Sequence, residues 1–417
     1  MIRKTIYTLL GLVLAAAVAF FIFAPGYVEE QTNRIDGQPL IEVSDEARAL
    51  HKTLAIVDLH SDTLLWKRNL LERADRGHMD LPRLQDGNVA LQVFSSVTKS
   101  PDDQNYDSNP SDTDQITELV IAQLQPTQTW TSLLERSLWH AKKLEKAAEG
   151  SQNALWLVRS AADLEKLEDA IACETCTPIG EAVWATPAGG KPVGALFSAE
   201  GLQSLEGDIA NLEKLYGAGM RMAGLTHFFD NELAGSMHGE AKGGLTEMGR
   251  EAVRRMEEMG MVVDIAHCSH QCVAEILAMA RRPVVSSHGG VQATCKVNRN
   301  LTDDEIRGVA ATGGVIGVGY WEGAICSTDA RAAARAMKHV RDLVGIEHVA
   351  LGSDYDGATT VRFDTSQLMQ VTQALMNEGF SEAEIRAAMG ENALRVLRAG
   401  LVPLAQLPVG ETSEPAA

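Results

Sequence analysis

MVVDIAH, residues 261–267, is a run of apolar, largely β-branched side chains that ends on a histidine. A run of this length reads as a buried strand, and its last residue falls where the chain leaves the sheet. The same design returns in LAIVDLH (54–60), VALQVFS (89–95), VGALFSAE (193–200), GMRMAGLTH (219–227), PVVSSH (283–288), GVIGVGY (314–320) and HVALGSD (348–354). Amphipathic stretches lie between these runs. Residues 247–259 carry Met248, Ala252, Val253, Met256 and Met259 at helical spacing, which marks a core-facing stripe. Thr302 with Glu305, and Ser381 with Glu384, have capping-box spacing, and Ser160 is placed to cap a helix running to 171. Eight strand–helix units in succession predict an α/β fold, a closed (β/α)8 TIM-type barrel.

With 417 residues the chain suits one large barrel domain, and 45% apolar with 22% charged side chains is the composition of a folded protein with a substantial core. The net charge of -19 argues against nucleic acid as a partner. The connection between the second and third strands is long and forms an insertion, with a polar stretch at 100–114, helices, and a Pro- and Gly-rich loop at 175–191. Such an insertion is expected to cover the barrel mouth or to build a subunit contact. The predicted organisation is an N-terminal membrane segment at 1–28, a polar linker at 29–45, the barrel at 46–401 and a disordered tail at 402–417.

Arg3 and Lys4 precede an uncharged apolar stretch at 5–24. Twenty helical residues at about 1.5 Å each match a hydrocarbon layer about 30 Å thick. The small residues Ala15 to Ala17 and Ala19 sit inside the apolar run, followed by Phe20, Phe21, Ile22 and Phe23, so the reading favours one uncleaved transmembrane helix over a removed signal. Basic residues on the N-terminal side place the N-terminus in the cytoplasm and the remainder in an extracytoplasmic compartment. Of six cysteines, Cys173 and Cys176 form a lone CxxC, read as a local disulfide or two thiols; the pairing of the others is open.

Polar residues gather where barrel active sites are built. His60, Glu200, His227, His267, His288 and Asp354 end predicted strands, and Asp62 follows His60 by two positions, on the same side of an extended chain. His51, His78, His140, His270, His339 and His348 read as structural histidines. Imidazole and carboxylate donors without thiolate suit zinc, with manganese, cobalt and iron(II) also compatible. Five ligands exceed the three of a mononuclear catalytic zinc, so the set predicts two ions sharing a carboxylate, with Glu200 as the bridge and a water deprotonated between them. Asp264, inside an apolar strand, reads as a support for the ligands rather than as one of them.

In the ordered set VDLHSDTL, SAEG, LTH, VVDIAH, PVVSSH, RNLTDDE, GVGY and LGSDYDG the chain resembles the renal or membrane dipeptidase family of zinc peptidases, from about residue 54 to 397. The resemblance implies a metallo-dipeptidase that hydrolyses dipeptides, with His60, Asp62 and Glu200 on one zinc and Glu200, His267 and His288 on the other. It also implies that His227 polarises the substrate carbonyl or stabilises the oxyanion, Arg299 pairs with the substrate carboxylate, Asp354 shuttles protons to the leaving amine, and Tyr320 touches substrate. A homodimer is implied as well. After LTH the chain departs from the mammalian pattern with FFDNELAGSMHG, and this leaves side-chain preference open. Two other readings stand beside this one: a related barrel hydrolase of another amide, N-acyl amino acid, lactone or phosphoester, and a non-catalytic membrane-tethered binding module.

Overall fold

The computed structural model describes residues 2–172 and 191–406. Its centre is a ring of eight parallel strands: β1 (Ile56–Asp58), β2 (Val89–Phe94), β3 (Val193–Ala199), β4 (Met220–Gly224), β5 (Val262–Asp264), β6 (Val285–Ser286), β7 (Val315–Val318) and β8 (Val349–Leu351). Neighbours in sequence are neighbours in the ring. Leu351 opposite Asp58 joins β8 to β1, and the β2–β3 pairing runs from Leu91 opposite Gly194 to Phe94 opposite Phe197. All eight runs read from the sequence contain one of these strands. Most observed strands stop short of the polar residue that ends the run. At His267 the reason is local: its φ of 64° takes the backbone out of the extended region, three residues beyond the end of β5.

Two pairings had no sequence signal. Leu155–Leu157 lies parallel to the first half of β3, and Arg34–Ile35 pairs with Thr360–Val361. Both are too short for a periodic pattern to register. The capping boxes at Thr302 and Ser381 form, and the Ser160 hydroxyl accepts from the Asp163 amide at 3.1 Å.

In the insertion, α2 (Gln115–Ala122) brings Gln115, Ile116 and Leu119 to the cavity at the mouth, while α3 (Leu133–Gly150) packs Ala141 and Leu144 beside Ala195 and Phe197 of β3. Arg136, buried at 1% exposure, holds this layer in place. Its guanidinium donates to the Thr98 carbonyl (2.7 Å), the Thr129 carbonyl (2.7 Å), and Asp114 Oδ2 (2.7 Å) and Thr117 Oγ1 (2.6 Å) at the start of α2, so one planar fork joins three segments. Cys173, Cys176 and most of the loop at 175–191 lie outside the described residues.

The N-terminal helix α1 runs from Ile2 to Thr32, past the expected boundary at 28. The start of the stretch read as a polar linker is docked on the barrel. Glu29 is buried and paired with Arg68 Nε at 2.5 Å and Arg76 Nε at 3.0 Å, which gives the last helical turn charged partners on the barrel. Before that point the apolar face of α1 is uncovered. At the other end, the tail is structured through Gln406, with Leu404–Gln406 forming a 3-10 turn; 407–417 lie outside the described residues.

The barrel floor is tightly closed. A π-helical stretch, Ala387–Glu391, packs under β1 so closely that a Cβ on Gly390 would sit 1.8 Å from the Ala55 carbonyl oxygen. Backbone against backbone cannot relax cheaply, so Gly390→Ala is expected to destabilise the fold by about 1–3 kcal/mol. A thermal midpoint equal to wild type would show that the floor gives way without cost.

Candidate metal centre

Six of the eight strand ends deliver side chains to a common point above the ring. Glu200, directly after β3, is at the centre. Its Oε1 lies 2.8 Å from His267 Nε2, 3.1 Å from His288 Nε2 and 3.6 Å from His60 Nε2, and its Oε2 lies 3.4 Å from His227 Nε2. His60 Nε2 is also 3.5 Å from Asp62 Oδ1 and 3.9 Å from Asp354 Oδ1. The donor atoms of His60, Asp62 and Glu200 form one compact set, and those of Glu200, His267 and His288 form a second. Asp354 joins His60 and His288 in a third, overlapping set. The structure thus brings together all five residues expected to bind metal, with Glu200 common to the first two groups.

Hydrogen bonding fixes which nitrogens face the centre. Ser287 Oγ donates to the carboxylate of Asp264 at 2.5 Å and, having one proton, must accept from His288 Nδ1 at 2.8 Å. His288 therefore presents an unprotonated Nε2 to the site. Asp264 also accepts from the amides of Ala266 and Ser287, so it orients a ligand candidate without entering the cluster. His227 Nδ1 donates to the Lys99 carbonyl at 3.2 Å and turns Nε2 toward Glu200.

The charge pattern calls for a cation. Burial raises the Glu200 carboxyl well above its ordinary range, and the nearby Asp62 adds to the rise. Burial also pushes Asp354 up to about 8. His60 shows the converse: burial would lower it, yet Glu200 and Asp62 raise it to about 10. His267 and His288 are held well below their usual value, first by burial and then by the charges of Arg299 and His60. His227 falls to about 4, chiefly through burial. Neutral imidazoles beside crowded carboxylates, with both ring nitrogens of His60 and Asp62 Oδ1 lacking hydrogen-bond partners among the described residues, fit a metal centre of oxygen and nitrogen donors.

The cluster opens into a cavity of about 590 Å³. Arg299 reaches this cavity while almost fully buried. Its Nη2 donates to the His288 carbonyl at 2.8 Å and its guanidinium lies 6.0 Å from the Trp321 ring. A disulfide, Cys295–Cys326, ties the loop carrying Arg299 to the segment after β7. Tyr320 departs from the expected role. It is fully buried against Tyr355 and Phe363, does not line the cavity, and its hydroxyl has no partner among the described residues. The side chain at that strand end that does reach the cavity is the next one, Trp321, whose Nε1 donates to the Tyr106 hydroxyl at 3.2 Å. Strand alternation assigns opposite sides to Tyr320 and Trp321 and could have found this residue; Tyr106, in the aperiodic insertion, carried no such signal.

Residues 44–402 match the model of the membrane dipeptidase family, peptidase family M19. The chain belongs to this family. It is a metallo-dipeptidase, as the resemblance implied. Three solved structures share the fold. The probable dipeptidase PvdM from Pseudomonas aeruginosa has 19% identity and a TM-score of 0.67, over 85% of this chain and 98% of that one. Dipeptidase AC, a metallo peptidase, has 23% identity and a TM-score of 0.63, over 84% and 99%. A metallo peptidase from Rhodobacter sphaeroides, liganded with a phosphinate mimic of the dipeptide L-Ala-D-Ala, has 21% identity and a TM-score of 0.62, over 83% and 99%.

In this dipeptidase Ser287 connects Asp264 to His288. Ser287→Ala is expected to weaken metal binding by about 10-fold, as loss of a group that orients a ligand typically does. Chelator competition on the purified protein measures this, and unchanged affinity would remove Ser287 from the support of the centre.

Proposed function

We propose that the chain hydrolyses dipeptides with two zinc ions, one held by His60, Asp62 and Glu200 and the other by Glu200, His267 and His288. Bound there, such a pair would polarise the scissile carbonyl and bring a water between the ions to ionisation near neutral pH. The observation that carries this reading is the position of Glu200, whose single carboxylate touches both donor sets.

The remaining groups have roles set by where they stand. Arg299 offers a buried, pre-oriented fork in the same cavity, suited to the terminal carboxylate of a dipeptide. Asp354 takes the proton of the attacking water and delivers it to the leaving amine; its carboxylate lies beside His60 on the cavity wall. His227 has one proton committed to Lys99, so its Nε2 meets the substrate amide, accepting an N–H when the ring is neutral and donating to the oxyanion when it is protonated. The dipeptide mimic in the Rhodobacter sphaeroides metallo peptidase supports a small peptide as substrate.

The helix at residues 3–32 serves as a membrane anchor in this proposal, with Arg3 and Lys4 on the cytoplasmic side and the barrel outside. The Cys295–Cys326 disulfide supports an oxidising compartment. A reporter fused after Ala417 should be active only outside the cytoplasm; cytoplasmic activity would reverse the topology.

Kinetics separate the two polar roles. Asp354→Asn keeps size but cannot carry a proton, and should lower kcat by about 100-fold or more with metal content and KM near wild type. Arg299→Ala should chiefly raise KM for a dipeptide and have little effect on the dipeptide amide, which lacks the carboxylate. Equal effects of Arg299→Ala on the two substrates would sink the carboxylate contact, and normal turnover in Asp354→Asn would remove it as the proton carrier.

A further inference from the structure

The loop that carries Asp354 is held in an improbable shape. Asp354, Asp356 and Ala358 all have positive φ, at 57°, 63° and 58°. Aspartate tolerates this region, but alanine has no polar side chain to support it, and a left-handed alanine costs on the order of 1 kcal/mol or more. Such a conformation persists only when its surroundings fix it.

Barrel groups hold part of it, with Thr63 Oγ1 donating to Asp356 Oδ2 and Trp66 Nε1 to the Asp356 carbonyl, both at 2.6 Å, and the segment where the N-terminal helix ends holds the rest. Asn33, 5% exposed, accepts from the Ala358 amide through Oδ1 at 2.8 Å, while its Nδ2 has no partner among the described residues. The Arg34 amide donates to the Thr359 carbonyl at 3.2 Å, and the Asp36 amide to the Val361 carbonyl at 2.8 Å. A second connection runs through His78. Its Nδ1 accepts from the Asp356 amide at 3.1 Å, which leaves Nε2 to donate to the Arg34 carbonyl at 3.2 Å. A third runs through charge, since Arg68 pairs with Glu29 at 2.5 Å and also with Asp356. Val28 and Thr32 of the helix line the same cavity as Gly357, Ala358 and Thr359.

We propose that the exit segment of the membrane helix, from Glu29 to Ile35, is a positioning element of the active site, with Asn33 holding the Asp354 loop in its catalytic shape. This rests on the proton role given to Asp354 above. The anchor then builds part of the cleft as well as tethering it. Val28 and Thr32 lie four and eight residues beyond the apolar run, so the cleft wall stands about 6–12 Å along the helix from the membrane-spanning stretch. Substrates are therefore processed close to the membrane surface.

The test uses the full-length, zinc-loaded protein in detergent. Asn33→Ala should lower kcat about 10-fold, with KM, zinc content and thermal midpoint near wild type, since a small misplacement of a reacting group acts on turnover. Asn33→Asp keeps the acceptor for Ala358 and should restore most of the rate. In an Asp354→Asn background, Asn33→Ala should cause no further loss, because it acts through the carboxylate that is gone. The same fold-loss in both backgrounds, or wild-type turnover in Asn33→Ala, would overturn the proposal. If Asn33→Ala is not recovered folded, Glu29→Gln, which breaks the connection one turn earlier, is measured by the same criteria. Wild-type turnover in Asp354→Asn alone would instead defeat the proton role, so the two failures are distinguishable.

Discussion

A carboxylate buried among imidazoles is stable only when a positive charge shares the site, and that constraint organises the upper half of this barrel. Glu200 has hydrogen-bonding distance to two imidazoles and near contact with two more, while Asp62 and Asp354 add negative charge within a few ångströms. Leaving these groups without a cation would cost several kcal/mol per charge, or force protons onto them. The shifts agree with this: Glu200 and Asp354 pushed up, His60 pushed up, His267 and His288 kept neutral. Barrel geometry permits the crowding because eight strand ends converge and each needs to contribute only one residue or two.

Support for the cluster comes from the layer beneath it. Asp264 binds two backbone amides and the Ser287 hydroxyl, and Ser287 sets the tautomer of His288. Asp58 plays a matching part under His60, accepting from the amides of His60 and Ser353 through one oxygen. Asp264 and Asp58 each end their strand, so the same alternation that sends ligands upward leaves a carboxylate to anchor the turn that follows.

This regularity explains what could be read from the sequence. The eight strands were legible because each is a compact apolar run bounded by turn residues, and the five metal-binding candidates because four of them end those runs and Asp62 follows His60 by two positions. Tyr320 was assigned to the substrate because it closes GVGY, whereas the side-chain period buries it and brings Trp321 to the cavity. Tyr106 and the cavity-lining part of α2 were not legible as site residues, since an insertion has no period and its placement depends on long-range ties such as those of Arg136. The helix end was misjudged for a related reason. Glu29 is a polar residue after an apolar run and looks like the start of a linker, but its partners Arg68 and Arg76 lie about forty residues away, in a stretch that gives no sign of them.

The division of labour between rigid and strained parts follows from these ties. The ligand-bearing turns are held by short-range hydrogen bonds to the barrel itself, so their geometry is set once the ring closes. The Asp354 loop carries three left-handed residues in five, and besides barrel partners such as Asp58 and Trp66 it takes partners from a distant segment of chain. In the proposed proton role Asp354 must reach two positions in turn, at the attacking water and at the leaving nitrogen, and the segment outside the barrel adds a restraint on that reach. Because that restraint comes from the end of α1, the Asp354 loop and the N-terminal helix are neighbours in structure, although more than three hundred residues separate them in the chain.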